Sequence, residues 1–179
     1  EAPKRFVVVV DDEAVADVPA SVTVPVGETT RRLLFVHACA PISGEWSTVE
    51  GAGEQIGGYR ITYDDGSILE QSLRRRFEIH DTNIPWGHHP FVCRNCREFR
   101  TVGIHDRTVA YGPAQVGLYS SWRRPGSDES AGTGSDMQGW WLFDWENPHP
   151  DKRIESVEIA AAGPTAVALA AITLCDEET

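Results

Sequence analysis

Trp145-Glu146-Asn147-Pro148-His149-Pro150-Asp151-Lys152 follows the aromatic run Gly139–Asp144 and precedes two further apolar segments. Asn147 and His149 each stand before a proline, which biases both to extended backbone. The prolines themselves donate no hydrogen bond. The stretch therefore predicts a strand that ends, a stiffened loop in which pairing stops, and Trp145 packed over the end of a β-sandwich. Ligand contact by Trp145 or His149 is the competing use of the same residues.

Outward from this loop the pattern is that of strands. Short runs of apolar, β-branched or aromatic residues recur, divided by Gly, Pro, Asp and Ser, with no sustained three-and-four spacing of the helical kind. Phe6–Val10 is a continuous apolar run. Ser21–Val26 alternates, with Val22, Val24 and Val26 on one face. Arg31–Ala38 is apolar on both faces, as a central covered strand is. Gly58–Tyr63 and Ser67–Leu73 flank Asp64-Asp65-Gly66, a hairpin turn in which Gly supplies positive φ. Further strands are expected at Thr101–Ile104, Gln115–Trp122, Gly139–Asp144, Arg153–Ile159 and Ala166–Leu174. About ten strands in 179 residues, with neither repeat nor linker, predict one domain over 1–179. The expected class is all-β: a two-sheet antiparallel jelly-roll-like β-sandwich with long loops. Asp81–Arg100 and Arg123–Gln138 read as irregular segments, the second polar and rich in Gly and Ser.

Bulk properties limit the partners. A formal net charge of -11 argues against non-specific nucleic-acid binding, which depends on Lys and Arg neutralising phosphates. No apolar run reaches the length of a membrane-spanning helix. No signal peptide is visible; a mature secreted form and an excised domain both look like this. Cys39, Cys93, Cys96 and Cys175 do not make a disulfide-dense scaffold, and Cys39 and Cys175 fit apolar strands as buried thiols. Cysteine usage does not settle the compartment; extracellular or periplasmic is the expected one.

Several separated pieces resemble one family. Leu34-Phe35-Val36-His37-Ala38 is similar to its central strand, and Tyr59-Arg60-Ile61-Thr62-Tyr63-Asp64-Asp65-Gly66-Ser67 to its next hairpin. Trp145 through Lys152, Ile154-Glu155-Ser156-Val157 and Ala171-Ile172-Thr173-Leu174 resemble its closing strands. The family is the galactose-binding-domain-like jelly rolls that accompany bacterial glycan-active proteins. The resemblance runs from about residue 31 onward. It implies a non-catalytic carbohydrate-binding-type or accessory domain linked to glycan processing, with a carbohydrate or a larger enzyme subunit as partner. The segment with Cys93 and Cys96 is not in the family pattern, so sugar binding does not transfer onto it.

That segment, His80 to His105, nevertheless concentrates chemistry. Trp86, His88, His89 and Arg94 combine an aromatic platform with polar donors, the mixture a sugar needs for its apolar faces and its hydroxyls. The structural alternative is an ordered loop anchored by Trp86. Cys93-x-x-Cys96 with His88 and His89 has the ligand types and spacing of a zinc site, although a single pair of cysteines also suits a local disulfide or free thiols. A metal-dependent enzyme built on Cys93, Cys96 and a histidine is thus a third reading, after the glycan-binding domain and the assembly subunit. Asp11-Asp12-Glu13 with Asp17 offers oxygen ligands for a structural calcium, but lacks EF-hand spacing and reads equally as a solvated acidic turn. Arg74-Arg75-Arg76 either blunts an edge strand or meets a phosphate or acidic sugar. No spacing singles out a catalytic carboxylate pair.

Overall fold

The computed structural model describes residues 6–41, 51–82, 90–95 and 140–176. These residues form nine strands: β1 (Val7–Val9), β2 (Ser21–Glu28), β3 (Arg32–Pro41), β4 (Gln55–Tyr63), β5 (Ile68–Arg74), β6 (Cys93–Asn95), β7 (Trp141–Glu146), β8 (Ile154–Ala161) and β9 (Thr165–Cys175). One sheet has the order β1-β9-β3-β7-β6 and the other β2-β8-β4-β5, with every pairing antiparallel. The pairs are nested: β1 with β9, β2 with β8, β3 with β7, β4 with β5. Successive pairs alternate between the sheets, which is the wrap of a jelly roll, and β6 adds a short strand to one edge.

Eight of the ten strands read from sequence lie where they were expected, within a few residues. Thr101–Ile104 and Gln115–Trp122 fall outside the described residues. One correction is needed: Cys93–Asn95 is a strand, although it sits in a segment that read as irregular. Three residues are too few to show an alternation, and β6 exists because β7 offers it a free edge. Asp11-Asp12-Glu13 forms a solvated turn. Asp12 caps a single 3-10 turn over Glu13–Val15, its Oδ1 accepting from the Ala14 N–H at 2.9 Å.

Alternation alone does not carry the core-facing pattern; bulges re-phase it. In β3, Leu33, Phe35, His37 and Cys39 all point inward. Their partner β9 reaches them with Ile172 opposite Phe35, then Leu169 opposite His37, because the register slips between Val36 and His37. One extra residue thus moves the apolar set of β9 from even to odd positions. In β8 the same device brings Ile154, Val157 and Ile159 all into the core, each fully buried. Between the sheets the Phe35 and Tyr59 rings stack at 4.0 Å, and Phe143 lies 6.2 Å from Phe35.

The Trp145–Lys152 loop closes one end of this core. Trp145 is the last inward residue of β7 and joins the core cluster at 6% exposure. Asn147, 3% exposed, is the knot behind it. Its N–H donates to Arg31 O at 2.8 Å and its Nδ2 to Thr30 O at 2.9 Å. Its Oδ1 accepts from the Tyr63 hydroxyl at 2.7 Å and the His149 N–H at 3.0 Å. One side chain therefore ties the β2–β3 connection, β4 and the loop itself. Lys152 then reaches the β4–β5 turn, with Nζ 2.6 Å from Asp65 Oδ2 and 3.0 Å from Ser67 Oγ. The hydrogen bond from Lys152, with those from Ser67, holds the Asp65 carboxyl well below the usual carboxylate range.

Asn147→Ala leaves the Tyr63 hydroxyl and the Thr30 carbonyl without partners in a buried place. We expect a loss of about 1–3 kcal/mol in a denaturant titration, against less than about 0.5 kcal/mol for Asp151→Ala in the exposed part of the same loop.

Candidate functional site

The opposite end of the sandwich carries the connections in which the sequence concentrates its chemistry. Pro41 pairs with Thr165, His37 with Trp141, and Asn95 with Trp141, so the end of β3, the starts of β9 and β7, and the end of β6 lie together. Arg75, just beyond β5, joins the second sheet to this place by donating from Nη2 to Thr165 Oγ1 at 2.9 Å.

Here the two sheets meet around a buried carboxylate. Asp81 is 1% exposed, and both its oxygens receive Arg75 Nη1, at 2.8 and 2.9 Å. Cys39 Sγ donates to Oδ1 at 3.4 Å, and His80 Nδ1 lies 3.3 Å from Oδ2. The backbone is held as well. Trp141 Nε1 donates to Asp81 O at 3.1 Å, Cys39 N to His80 O at 3.0 Å, and Thr82 N to Cys39 O at 3.0 Å. Residues 80–82 thereby extend the sheet beside β3 beyond the point where β7 begins. Burial works against the Asp81 anion, but the hydrogen bond with His80 and the Arg75 charge outweigh it, and the carboxyl ends below its ordinary range. Burial, followed by the nearby Asp81 charge, pushes the Cys39 thiol up, so it stays protonated. His80 Nε2 is buried and has no hydrogen-bond partner among the described residues.

One layer inward, His37 is fully buried between Tyr59 and Glu78. Its Nδ1 takes the Tyr59 hydroxyl at 2.7 Å, and its Nε2 meets Glu78 O at 2.8 Å. A carbonyl only accepts, so the ring proton sits on Nε2 and the hydroxyl donates to Nδ1. Burial lowers the His37 pKa to about 4. Cys93 Sγ lies 3.9 Å from His37 Nε2 and donates to the same Glu78 carbonyl. This is not a thiol–imidazole catalytic pair. The nitrogen facing the thiol already holds a proton, so it has no lone pair with which to take the thiol's proton, and burial opposes formation of the imidazolium that a thiolate pair requires.

The turn from β5 carries the exposed part of this end. The three consecutive arginines have three different fates. Arg74 forks onto Glu78, with Nε 3.1 Å from Oε2 and Nη2 2.5 Å from Oε1, and lies 4.6 Å over the Phe77 ring. Arg75 turns inward to Asp81. Arg76 takes a left-handed backbone, φ 66°, at a cost of order 1 kcal/mol for a residue with a side chain. Its guanidinium lies 5.3 Å from the Phe91 ring, and its Nε is buried without a partner among the described residues. Phe91 and Phe77 contact each other at 5.1 Å. Backbone bonds fix the pair, Phe91 N to Arg76 O at 3.0 Å and Val92 N to Phe77 O at 3.2 Å. Phe91 is nevertheless 67% exposed and Val92 52%. The edge-strand reading of these arginines holds for Arg74, since β5 is an edge, and fails for Arg75, which is core.

Of the residues expected to bind ligand or metal, Trp86, His88, His89 and Cys96 lie outside the described residues. Arg94 sits in β6 opposite Leu142. Cys39 and Cys175 are free thiols, and the Cys93 thiol is hydrogen-bonded to the Glu78 carbonyl. Among the described residues no group of three His, Cys, Asp or Glu side chains is placed to hold a metal ion. Sequence reasoning missed Phe77 and Phe91. The only signal was their position, one after the arginine triplet and one after Pro90, and such a position does not distinguish an exposed ring from a buried one.

A second concavity, about 260 Å³, lies on the outer face of the β4–β5–β8 sheet. Gly58, Ser72 and Ala160 form its low floor, and Arg60, Glu70 and Glu158 its charged wall. Arg60 is spent on Glu70 at 3.0 Å and Glu158 at 3.8 Å, and no exposed ring lines the groove. It is the poorer candidate.

No protein-family model, no curated protein and no solved structure matches the chain. The site's own geometry is therefore the basis for function.

Two outcomes test the buried network. Asp81→Ala leaves the Arg75 charge buried and unpaired, and we expect destabilisation of about 3–5 kcal/mol by chemical denaturation. His37 is held neutral in the fold, so its contribution is fully present above its unfolded pKa of 6.5 and is lost as pH falls towards about 4. Over that window stability should fall by roughly 3 kcal/mol. His37→Gln should flatten the slope between pH 6.5 and 5; an unchanged slope would show that another group titrates there.

Proposed function

We propose that this chain is a non-catalytic, carbohydrate-binding-type β-sandwich domain that contacts its ligand at the end bearing Phe77 and Phe91. One observation carries the reading: Phe91 is fixed by backbone hydrogen bonds and ring contacts, yet two thirds of it faces solvent. Leaving a phenylalanine exposed forgoes about 1.5–3 kcal/mol of burial, and a ring held rigid in that state is ready to stack on an apolar face without further ordering. The apolar faces of a pyranose suit such a ring, and the neighbouring guanidinium groups suit its hydroxyls. The resemblance to galactose-binding-like jelly rolls of glycan-active proteins points to the same ligand class.

Isolation of a soluble chain and its screening on a glycan array that spans neutral and acidic saccharides tests this. We expect binding that Phe91→Ala weakens about tenfold or more, equivalent to some 1.4 kcal/mol. Its melting temperature should shift by only a few degrees, because the ring is mostly outside the core. Absence of glycan binding, together with a stable complex by solution mass, would instead assign Phe91 to a protein interface and the chain to assembly of a larger enzyme.

A further inference from the structure

We propose that Arg76 is the anion-recognising residue of this surface and that the ligand is a saccharide bearing a carboxylate, a uronic-acid glycan. The inference rests on the carbohydrate-binding reading and narrows it to a ligand class. Three independent features of Arg76 support it.

The first is charge. Arg74 is neutralised by Glu78 and Arg75 by Asp81, whereas Arg76 makes no ion pair with a described residue. Arg32 and Arg60, on other parts of the sandwich, are likewise matched by Asp144 and by Glu70 and Glu158. Arg153, whose Nε donates to Gly27 O, also has no ion pair among the described residues, so what singles out Arg76 is an unpaired guanidinium beside an exposed ring.

The second is backbone. Among the described residues, Arg76 is the non-glycine position with positive φ. Glycine would satisfy the turn without strain, so the fold does not require arginine here. Its main-chain bonds, N to Ile79 O at 2.7 Å and O from Phe91 N at 3.0 Å, would be made equally by glycine.

The third is the side chain itself. Nε is buried with no partner among the described residues while the guanidinium lies against Phe91. Nε is thus left unsatisfied beside the ring on which the sugar is to rest, and the terminal Nη groups are the donors that would meet a carboxylate. A planar guanidinium recognises a carboxylate through paired N–H groups, and one face resting on an aromatic ring limits its orientations. The same side chain would not serve a polyanion. Nucleic acid and anionic membranes need many cations, and the rest of this molecule repels them. A short acidic saccharide needs only one such contact plus a ring to stack on.

The test uses the full chain with two probes, a hexuronate trisaccharide and the matched neutral hexose trisaccharide, titrated by calorimetry at low and high salt. We expect the uronate to bind at least about tenfold more tightly, with the difference shrinking as salt screens the contact. In Arg76→Gly that preference should disappear while the melting temperature holds or rises, since the left-handed turn is relieved. Arg76→Asn, which also accepts this φ, repeats the test on a second background. Equal affinity for the two probes would overturn the acidic-ligand assignment while leaving the carbohydrate reading in place. Failure of both probes and of the wider glycan array would remove the carbohydrate reading itself. A uronate preference that survives both variants, or a drop of many degrees in melting temperature for both, would overturn the role given to Arg76.

Discussion

A carboxylate buried to 1% exposure must be paired, and that requirement organises the loop-bearing end of this sandwich. Asp81 draws Arg75 inward from the edge of one sheet, takes the Cys39 thiol from the middle of the other, and sits where the Trp141 indole caps its carbonyl. Arg75 in turn reaches Thr165 at the start of β9. This pair adds to the backbone and side-chain bonds that fix the path of residues 74–82. The exposed ring of Phe91 depends on that path, because it hangs from Arg76 and Phe77 by backbone hydrogen bonds. An ion pair of this kind contributes little net stability compared with an apolar core of equal volume. Its value here is position: it fixes the turn that presents Phe77, Phe91 and Arg76.

The two ends of the sandwich solve one problem with different chemistry. At the Trp145 end, a neutral amide, Asn147, gathers three segments and Lys152 clasps the hairpin turn. That end is closed, with the Asn147 side chain and the Lys152 ammonium both fully engaged. At the Asp81 end, charge does the gathering, and it leaves two polar atoms, His80 Nε2 and Arg76 Nε, without partners among the described residues. Buried polar atoms are rarely left so. Arg76 Nε lies beside the exposed Phe91 ring, whereas His80 Nε2 belongs to a ring stacked on the buried Trp141.

Much of the fold was legible because strands announce themselves locally. The turn Asp64-Asp65-Gly66, the alternation of Tyr59, Ile61 and Tyr63, and the two-sided apolar run of β3 each specify one element without reference to the rest. Bulges were not legible: β9 and β8 change phase partway, and only the opposing strands show why. Of the candidate site the sequence offered the arginine triplet, while the residues it favoured for ligand, Trp86, His88 and His89, lie outside the described residues. The arginine triplet and the segment from His80 were singled out, yet Phe77 and Phe91 were not, since exposure is a property of the fold and not of the residue. His37 shows the reverse. It stood in a recognisable strand, and only its two buried hydrogen bonds reveal that its ring is committed to structure.

The central claim is that ligand meets the molecule at the turn beyond β5, and not on the outer face of the β4–β5–β8 sheet. Backbone amide shifts, followed by NMR as a binding glycan is added, locate that contact most directly. The account predicts the largest shifts at Arg76, Phe77, Phe91 and Val92, with Gly58, Ser72 and Ala160 unmoved. Shifts concentrated at Gly58, Arg60 and Ala160, with Phe91 silent, would contradict it.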